Sequence, residues 1–382
     1  MSSPRLEVRL DRLAHNAATL VTRLADRGIR VTAVTKATLG SPEVARTLLA
    51  AGAVGLGESR IENVERLRAA GITAPITLLR SPLLSQVDRV AAAADVSCNT
   101  EVDVLIALSA AAHATGRRHG VILMVELGDL REGILPVDVA DVVRRTLELP
   151  GIELRGLGTN LACQHGTVPD AANMADLSDL VTTLEDDLGV RLEVVSGGNS
   201  ANLAWASDPS SDVGRINDLR LGESILLGRE PLHRQPIDGL HLDAFTLVGE
   251  VIEAKAKPSI GWGNVAQTAF GEPRRVRDRG TTTRVLVALG RQDVDPDGLT
   301  PPEGFEVLGA SSDHLVLDAG DADVAIGTEL RFGLDYSALL RAATSSSVDL
   351  LYLEQLVPAG PASTPPVTGT RRVRTDRWPG PR

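Results

Sequence analysis

Lys36 stands at the end of Arg30–Val34 (RVTAV), a run of small and β-branched residues that reads as a buried strand. An ammonium group there is either solvated as the chain leaves the sheet, or desolvated so that its free amine can form a Schiff base with a carbonyl compound. Gly197-Gly198-Asn199-Ser200 lies between another strand and a helix start. Its glycines permit close backbone approach, and Ser200 caps a helix N-terminus whose free N–H groups favour an anion. Gly222, in RLGESILLG, offers further backbone donors. Arg220, two residues before it, is a permanent cation at a strand end. It either pairs with a carboxylate such as Glu223 or Glu58, or faces a heteroaromatic nitrogen, to which it donates a hydrogen bond without supplying a proton. Alone, each feature has a bland structural reading.

The elements that must position these groups alternate regularly. A strand over Arg5–Leu10 and a helix from an Asp11 cap to Gly28 precede the Lys36 strand. Ser41-Pro42-Glu43 starts a helix closed by Gly52; Ala53–Gly57 is a short strand, and Ser59-Arg60-Ile61-Glu62 has capping-box spacing for a helix ending at Gly71. The alternation continues with strands at 75–80, 95–98, 120–127, 152–158, 191–196 and 213–221, with helices between them. That is about eight β-then-α units in roughly 200 residues, which predicts a (β/α)8 TIM barrel within an α/β fold. A doubly wound sheet would collect ligand groups at one switch point. Here Lys36, Glu58, Arg131, Asn160, Gly197–Ser200 and Arg220 fall at or just after many strand C-termini, which converge in a barrel. A Schiff-base lysine on the first strand, an anion cradle after the seventh and an arginine on the eighth together describe a site for pyridoxal 5′-phosphate.

From Pro236 the rhythm becomes β-rich, with no helix until Tyr336–Ala343. The expected organisation is a barrel over 1–235, a mostly β domain over 236–357 and a disordered Pro- and Arg-rich tail over 358–382. The 382 residues carry 39 Lys and Arg against 50 Asp and Glu, a net charge of −11 that argues against nucleic-acid or anionic-membrane partners. No apolar run approaches spanning length, MSSPRLEVRL has no apolar signal region, and Cys98 and Cys163 form neither a disulfide framework nor a metal spacing. A cytoplasmic protein without a metal centre is expected.

Many segments, in order from about Arg5 to Ala343, carry a family resemblance: VTKATLGSPEVA, SRIEN, LRSPLLSQV, LMVELGDLREGI, GTNLAC, SGGNSAN, LRLGESILLGRE, ALGRQDVDPDGL, VLGASSDHLVLD and LDYSALLRA. The sequence resembles the alanine racemase-type (fold type III) pyridoxal-phosphate enzymes, and more closely their ornithine racemase branch. The resemblance implies a head-to-tail homodimer in which the partner's β domain closes each site. It implies that Lys36 bonds the cofactor and acts as one proton-transfer base, and that Ser200 binds phosphate with the backbone of Gly222 and Glu223, beside Gly198 and Asn199. It further implies that Arg220 faces the pyridine nitrogen and that Arg131 lies near the cofactor's phenolic oxygen and the substrate carboxylate. Ser312 and Asp313 would come from the other subunit to the substrate entrance.

Departures from the family pattern bear on the second base and the substrate. Alanine racemases have a tyrosine base in the segment matching Leu289–Asp293, where this chain has Arg291, so Arg291 borders the expected substrate site. Candidates for the second acid/base are His314, Asp313 and Cys163, or Tyr336 should it reach the site. Leu39, Ser41, Gln164 and His165 also differ from the branch pattern. Glu223, Asp293 and Asp313 are candidates to receive the distal ammonium of a basic, ornithine-like amino acid. The expected activity is therefore racemisation of such a substrate. The alternatives are a cofactor carrier without turnover, which a β domain of roughly 120 residues argues against, and decarboxylation or retro-aldol cleavage on the same cofactor.

Overall fold

The computed structural model describes residues 4–271, 277–355 and 370–374. The chain forms two units, one of residues 13–242 and one that combines the residues up to Arg12 with those from Asp243 onward. Strand β1 (Arg5–Arg9) leads into α1 (Leu10–Ala25). Eight parallel strands then close a barrel: β2 (Arg30–Val34), β3 (Gly55–Glu58), β4 (Ile76–Leu78), β5 (Val96–Asn99), β6 (His119–Val125), β7 (Ile152–Thr159), β8 (Val194–Ser196) and β9 (Asp218–Leu221). Closure is made by β9 against β2, with Val31 opposite Leu219 and Ala33 opposite Leu221. The helices that follow the strands are α2 (Pro42–Ala50), α3 (Ile61–Ala69), α4 (Val87–Ala93), α5 (Val102–Ala114), α6 (Pro136–Leu147), α7 (Ala171–Leu188), α8 (Leu203–Ser207) and α9 (Glu223–Leu227). The predicted barrel is thus present, and strands buried on both faces, such as β6 over residues 121–125, run as apolar stretches. Strand approach is tight where β7 meets β8: a Cβ on Gly156 would lie 1.7 Å from the Val194 carbonyl oxygen.

The second unit contains β10 (Phe245–Pro258), β11 (Thr281–Val287), β12 (Leu299–Thr300), β13 (Glu306–Ala310), β14 (Leu315–Asp318), β15 (Glu329–Leu334), α10 (Tyr336–Thr344), β16 (Asp349–Gln355) and β17 (Thr370–Arg374). Its sheet runs β13-β14-β11-β10-β1-β16-β17, with β15 also on β10. The first strand therefore belongs here and not to the barrel, pairing antiparallel with β10 and parallel with β16. A second departure concerns the tail expected to be disordered, since Thr370–Arg374 pairs antiparallel with β16 and covers its open edge. The rest of that tail lies outside the described residues. Among the described residues, no helix is long and apolar enough to cross a membrane.

Locally, most helix starts follow the sequence. Ser41 caps α2 through its hydroxyl to Val44 N, and Pro42 occupies the first turn. The expected capping box at Ser59–Glu62 does not form: α3 begins after Arg60, with no side-chain cap. The Ser59 N–H and the Asn63 side chain are instead drawn to the buried carboxylate of Glu58.

Candidate active site

Strand β2 carries Lys36 on a tight 3-10 turn, Lys36–Thr38, that follows the strand end. The chain has only three lysines, and the other two, Lys255 and Lys257, both pair with Glu253 in the second unit. Lys36 is the barrel's only lysine, and its amine has no hydrogen-bond or ion-pair partner among the described residues. Burial depresses its pKa below the ordinary lysine value; Cys163, Glu58 and Glu132 oppose that shift and Arg131 adds to it. The turn is held firmly. Leu39 is left-handed, at φ 53°, and its carbonyl accepts from Arg66 at 2.6 Å. Gly40 passes so close to α3 that a Cβ would meet Asn63 at 3.0 Å.

Across the barrel mouth, the loop after β8 and the start of α9 are tied through one hydroxyl. Ser200 Oγ accepts the backbone N–H of Gly222 at 3.3 Å and of Ser224 at 3.2 Å, and lies 2.9 Å from Ser224 Oγ. Gly198 has φ 142° and leaves no room for a Cβ, which would sit 2.2 Å from Asn202 Oδ1. Asn199 caps the short turn and reaches Asn160 Oδ1 at 3.1 Å and the Leu161 carbonyl at 2.8 Å. The structure therefore brings Gly198, Asn199, Ser200, Gly222, Glu223 and Asn160 together, as the sequence suggests. The Glu223 side chain itself pairs with Arg234.

Arg220 is buried, and no carboxylate lies within ion-pair reach of it among the described residues. Glu223 and Glu58, its expected structural partners, are engaged elsewhere. One of its amino groups donates to the Thr159 carbonyl at 2.6 Å, the other to Ser196 Oγ. Ser196 in turn donates to Asp218 at 2.6 Å, and Asp218 also accepts from Thr32 at 2.7 Å. The guanidinium is thus fixed by dipoles, and the Asp218 charge is relayed to it through a hydroxyl.

Two loops beyond β6 and β7 complete the mouth. Asp129, only 1% exposed, accepts the backbone N–H groups of Cys163, Gln164, His165 and Gly166 at 3.0–3.3 Å. Glu126 similarly gathers the N–H groups of Gly128, Leu130 and Arg131. Together they fix the backbones of Arg131 and Cys163. Arg131 pairs with its neighbour Glu132, and the Cys163 thiol receives Asn199 Nδ2 at 3.6 Å. Sequence reasoning missed Asp129, because an aspartate in a glycine-containing loop carries no signal of its target.

In the second unit, Gly290 lets the Arg291 and Ser312 loops meet, since a Cβ there would lie 2.1 Å from the Ser312 carbonyl. Arg291 stacks on Phe270 at 5.1 Å. His314 Nδ1 lies 3.0 Å from Asp313, whose pKa is lowered chiefly by that hydrogen bond, and Ser312 also reaches Asp313 at 3.3 Å. This places Arg291, Ser312, Asp313 and His314 in one surface cluster, with Ser312 and Asp313 exposed and Arg291 and His314 half-buried. Asp293 is not free to receive a substrate ammonium: it is buried, accepting Gly290 N–H at 3.0 Å and Ser345 Oγ at 3.2 Å.

Fold and site define a class, an alanine racemase-like barrel with an antiparallel β unit. The alanine racemase from Streptomyces coelicolor A3(2) superposes with a TM-score of 0.73 at 22% identity, covering 91% of this chain and 97% of its own. The chain belongs to the family of the alanine racemase N-terminal domain, whose model matches residues 8–229. Among its relatives, a lysine racemase of Thermotoga maritima is 40% identical over 92% of this chain and 99% of its own length. An ornithine racemase of Acetoanaerobium sticklandii is 35% identical over 91% of this chain and 98% of its own length.

Proposed function

We propose that this protein is a pyridoxal 5′-phosphate-dependent racemase of basic amino acids of the lysine and ornithine kind. The observation that carries the reading is the meeting, on neighbouring barrel strand ends, of an unpaired desolvated lysine, a Ser200-centred backbone cradle and a buried arginine with no carboxylate partner. Relatedness along nearly the whole chain to racemases of lysine and ornithine supports the substrate class.

The residues suit the cofactor. Buried polar atoms at the mouth, Asn160 Nδ2 and Asn99 Oδ1, lack partners among the described residues, as expected where a polar ligand completes them. Ser200, with the backbone of Gly222 and Glu223 and the Gly198–Asn199 loop, would hold the phosphate. Arg220 would donate to the ring nitrogen and, as a guanidinium, leave it unprotonated. Bound there, the cofactor supplies an electron sink that acidifies the Cα–H of an attached amino acid. Lys36, whose burial favours the free amine over the ammonium form, can bond a carbonyl carbon and can take or return the Cα proton on one face. Arg131 would receive the substrate carboxylate, exchanging its pairing with Glu132.

Inversion needs a second acid/base on the other face. In our reading it is His314, oriented by Asp313 and supplied with Ser312 and Arg291 by the partner subunit of a head-to-tail homodimer; Cys163 is the alternative within the barrel unit. The reading places the protein in the cytoplasm, which two unbridged cysteines suit.

Purified protein and Lys36→Ala are incubated in D2O with L- and D-lysine, ornithine, arginine and alanine. Inversion with Cα deuterium for lysine or ornithine, lost in the variant together with the visible cofactor band, is the expected result. A lysine-dependent band without exchange on any of them overturns the racemase reading in favour of a carrier. Loss of carbon dioxide from the substrate points to decarboxylase chemistry, and release of acetaldehyde from threonine added to the panel points to aldolase chemistry.

A further inference from the structure

Glu58 is the feature of the barrel mouth that the reading above leaves unused. It ends β3, is wholly buried, and is no ion-pair partner of any arginine among the described residues. Burying a carboxyl beside an amine that has to stay free for chemistry is costly unless the group serves it. Its three hydrogen bonds show where it acts. Thr35 Oγ1, on the residue before Lys36, donates to one oxygen at 2.6 Å. Asn63 Nδ2 at 2.9 Å and Ser59 N–H at 3.3 Å donate to the other.

Thr35 is in turn the hub of the lysine turn. Its N–H donates to the Gly57 carbonyl at 3.0 Å, and its carbonyl accepts Thr38 N–H and Thr38 Oγ1 at 3.0 Å. Asn63 is the residue against which Gly40, at the end of the same turn, is packed. One carboxyl thus joins both ends of the Lys36 turn to strand β3 and helix α3.

We propose, building on the functional reading above, that Glu58 is the positioning residue of Lys36: its carboxyl clamps the turn that carries the amine, and its charge, when present, favours a proton on that amine. An ionised Glu58 favours the ammonium form and a neutral one favours the free amine. Burial pushes Glu58 up to about 7 against the pull of its three donors, so its charge changes near neutrality. Cys163 and Arg131, from the loops after β7 and β6, act on Lys36 more strongly than Glu58 and with opposite signs, and Glu132 acts less strongly. Thr35, Ser59 and Asn63 are neutral, and Lys36 is a charge whose field reaches Glu58, behind burial and the three hydrogen bonds in strength.

The low lysine count allows a direct test. Reductive methylation of the full chain, stripped of cofactor, with 13C-formaldehyde labels only Lys36, Lys255, Lys257 and the N-terminus. The Lys36 resonance, assigned with Lys36→Arg, is then titrated by NMR. Glu58→Gln keeps the size and one acceptor but removes the charge, and the Lys36 midpoint falls by more than about 0.3 unit. Glu58→Asp brings the midpoint back toward wild type. Thr35→Val is isosteric and withdraws the 2.6 Å donor, leaving Glu58 protonated to higher pH, so the midpoint shifts in the same direction even if Glu58→Gln fails to fold.

A purely structural clamp would lower stability in these variants and leave the midpoint alone; agreement with wild type to within ~0.3 unit in Glu58→Gln and Thr35→Val overturns the proposal. Pyridoxal phosphate added to wild type before methylation separates the two claims. If it fails to protect Lys36, the cofactor reading falls while the titration still decides on Glu58. If it protects Lys36 and the midpoints coincide, the cofactor reading stands and the Glu58 proposal falls.

Discussion

Replacing Asp129 with asparagine tests how far a single buried carboxylate builds this barrel mouth. Oδ1 accepts the N–H groups of Cys163, His165 and Gly166, and Oδ2 those of Cys163 and Gln164. Whichever way the amide turns, one oxygen becomes an NH2 that faces N–H donors. If Oδ1 is the oxygen kept, the Gln164 bond is lost outright and Cys163 keeps only half of its shared bond. Hydrogen bonds to a charged acceptor contribute about 1.5–3 kcal/mol and neutral ones about 1, so one lost bond and three weakened ones come to about 4 kcal/mol.

That cost falls on the loop before it falls on the barrel, because residues 161–167 can open locally while the strands stay paired. Hydrogen exchange followed by mass spectrometry or NMR reads it directly. The amides of residues 163–166 are expected to exchange about a thousandfold faster, the rate equivalent of 4 kcal/mol, while those of β6 and β7 change little. On the proposed reading, turnover should fall with loop opening, since Cys163 and Arg131 sit on the two segments that Asp129 joins, whereas the visible cofactor band assigned to the Ser200 and Arg220 side of the site should persist. Protection at 163–166 within about tenfold of wild type would refute the reasoning, for the carboxylate would then be replaceable by any polar group of its size.

Two other expectations concern stability. Glu58 is near 7 when folded and ordinary, at 4.5, when unfolded, so the folded state binds its proton more tightly. Its contribution is complete below about 4.5 and is lost as pH rises through about 7, a change of about 3 kcal/mol that Glu58→Gln should abolish. Urea midpoints of both proteins at pH 4.5 and 7.5 check this, and parallel pH dependence would count against it. Gly156→Ala drives a methyl into the Val194 carbonyl between β7 and β8, and a loss of about 3 kcal/mol or more is expected, with a melting curve indistinguishable from wild type as the contrary result.

The barrel was legible because its periodicity is local: Lys36, Ser200 and Arg220 each follow an apolar run whose end can be read from neighbouring residues. What ties them was not. Arg220 could be seen as a buried cation, yet its anchors, the Thr159 carbonyl and the Ser196 hydroxyl relayed to Asp218, come from strands distant in sequence. Glu58 was visible as a strand-end acid, but its partners Thr35 and Asn63 emerge only when β2 and α3 flank it. The capping-box spacing at Ser59 misled because the buried Glu58 carboxylate takes the Ser59 N–H that the Glu62 side chain would accept in a capping box. Membership of β1 in the second unit was hidden too, since its partners β10 and β16 lie hundreds of residues away, and β17 was hidden by the Pro- and Arg-rich composition around it.

The pairing of β1 has a consequence for how the chain is made. Val8 finds its partner Phe245 only 237 residues later, and Arg5 awaits Asp349. At a synthesis rate of ~5–20 residues per second, β1 leaves the ribosome tens of seconds before its sheet exists. During that interval the growing barrel carries an unpaired strand at its head. The barrel is in effect an insertion within the β unit's chain, so the β unit cannot be completed until β16 has been made. A barrel expressed alone would best start at residue 13, leaving that orphan strand behind.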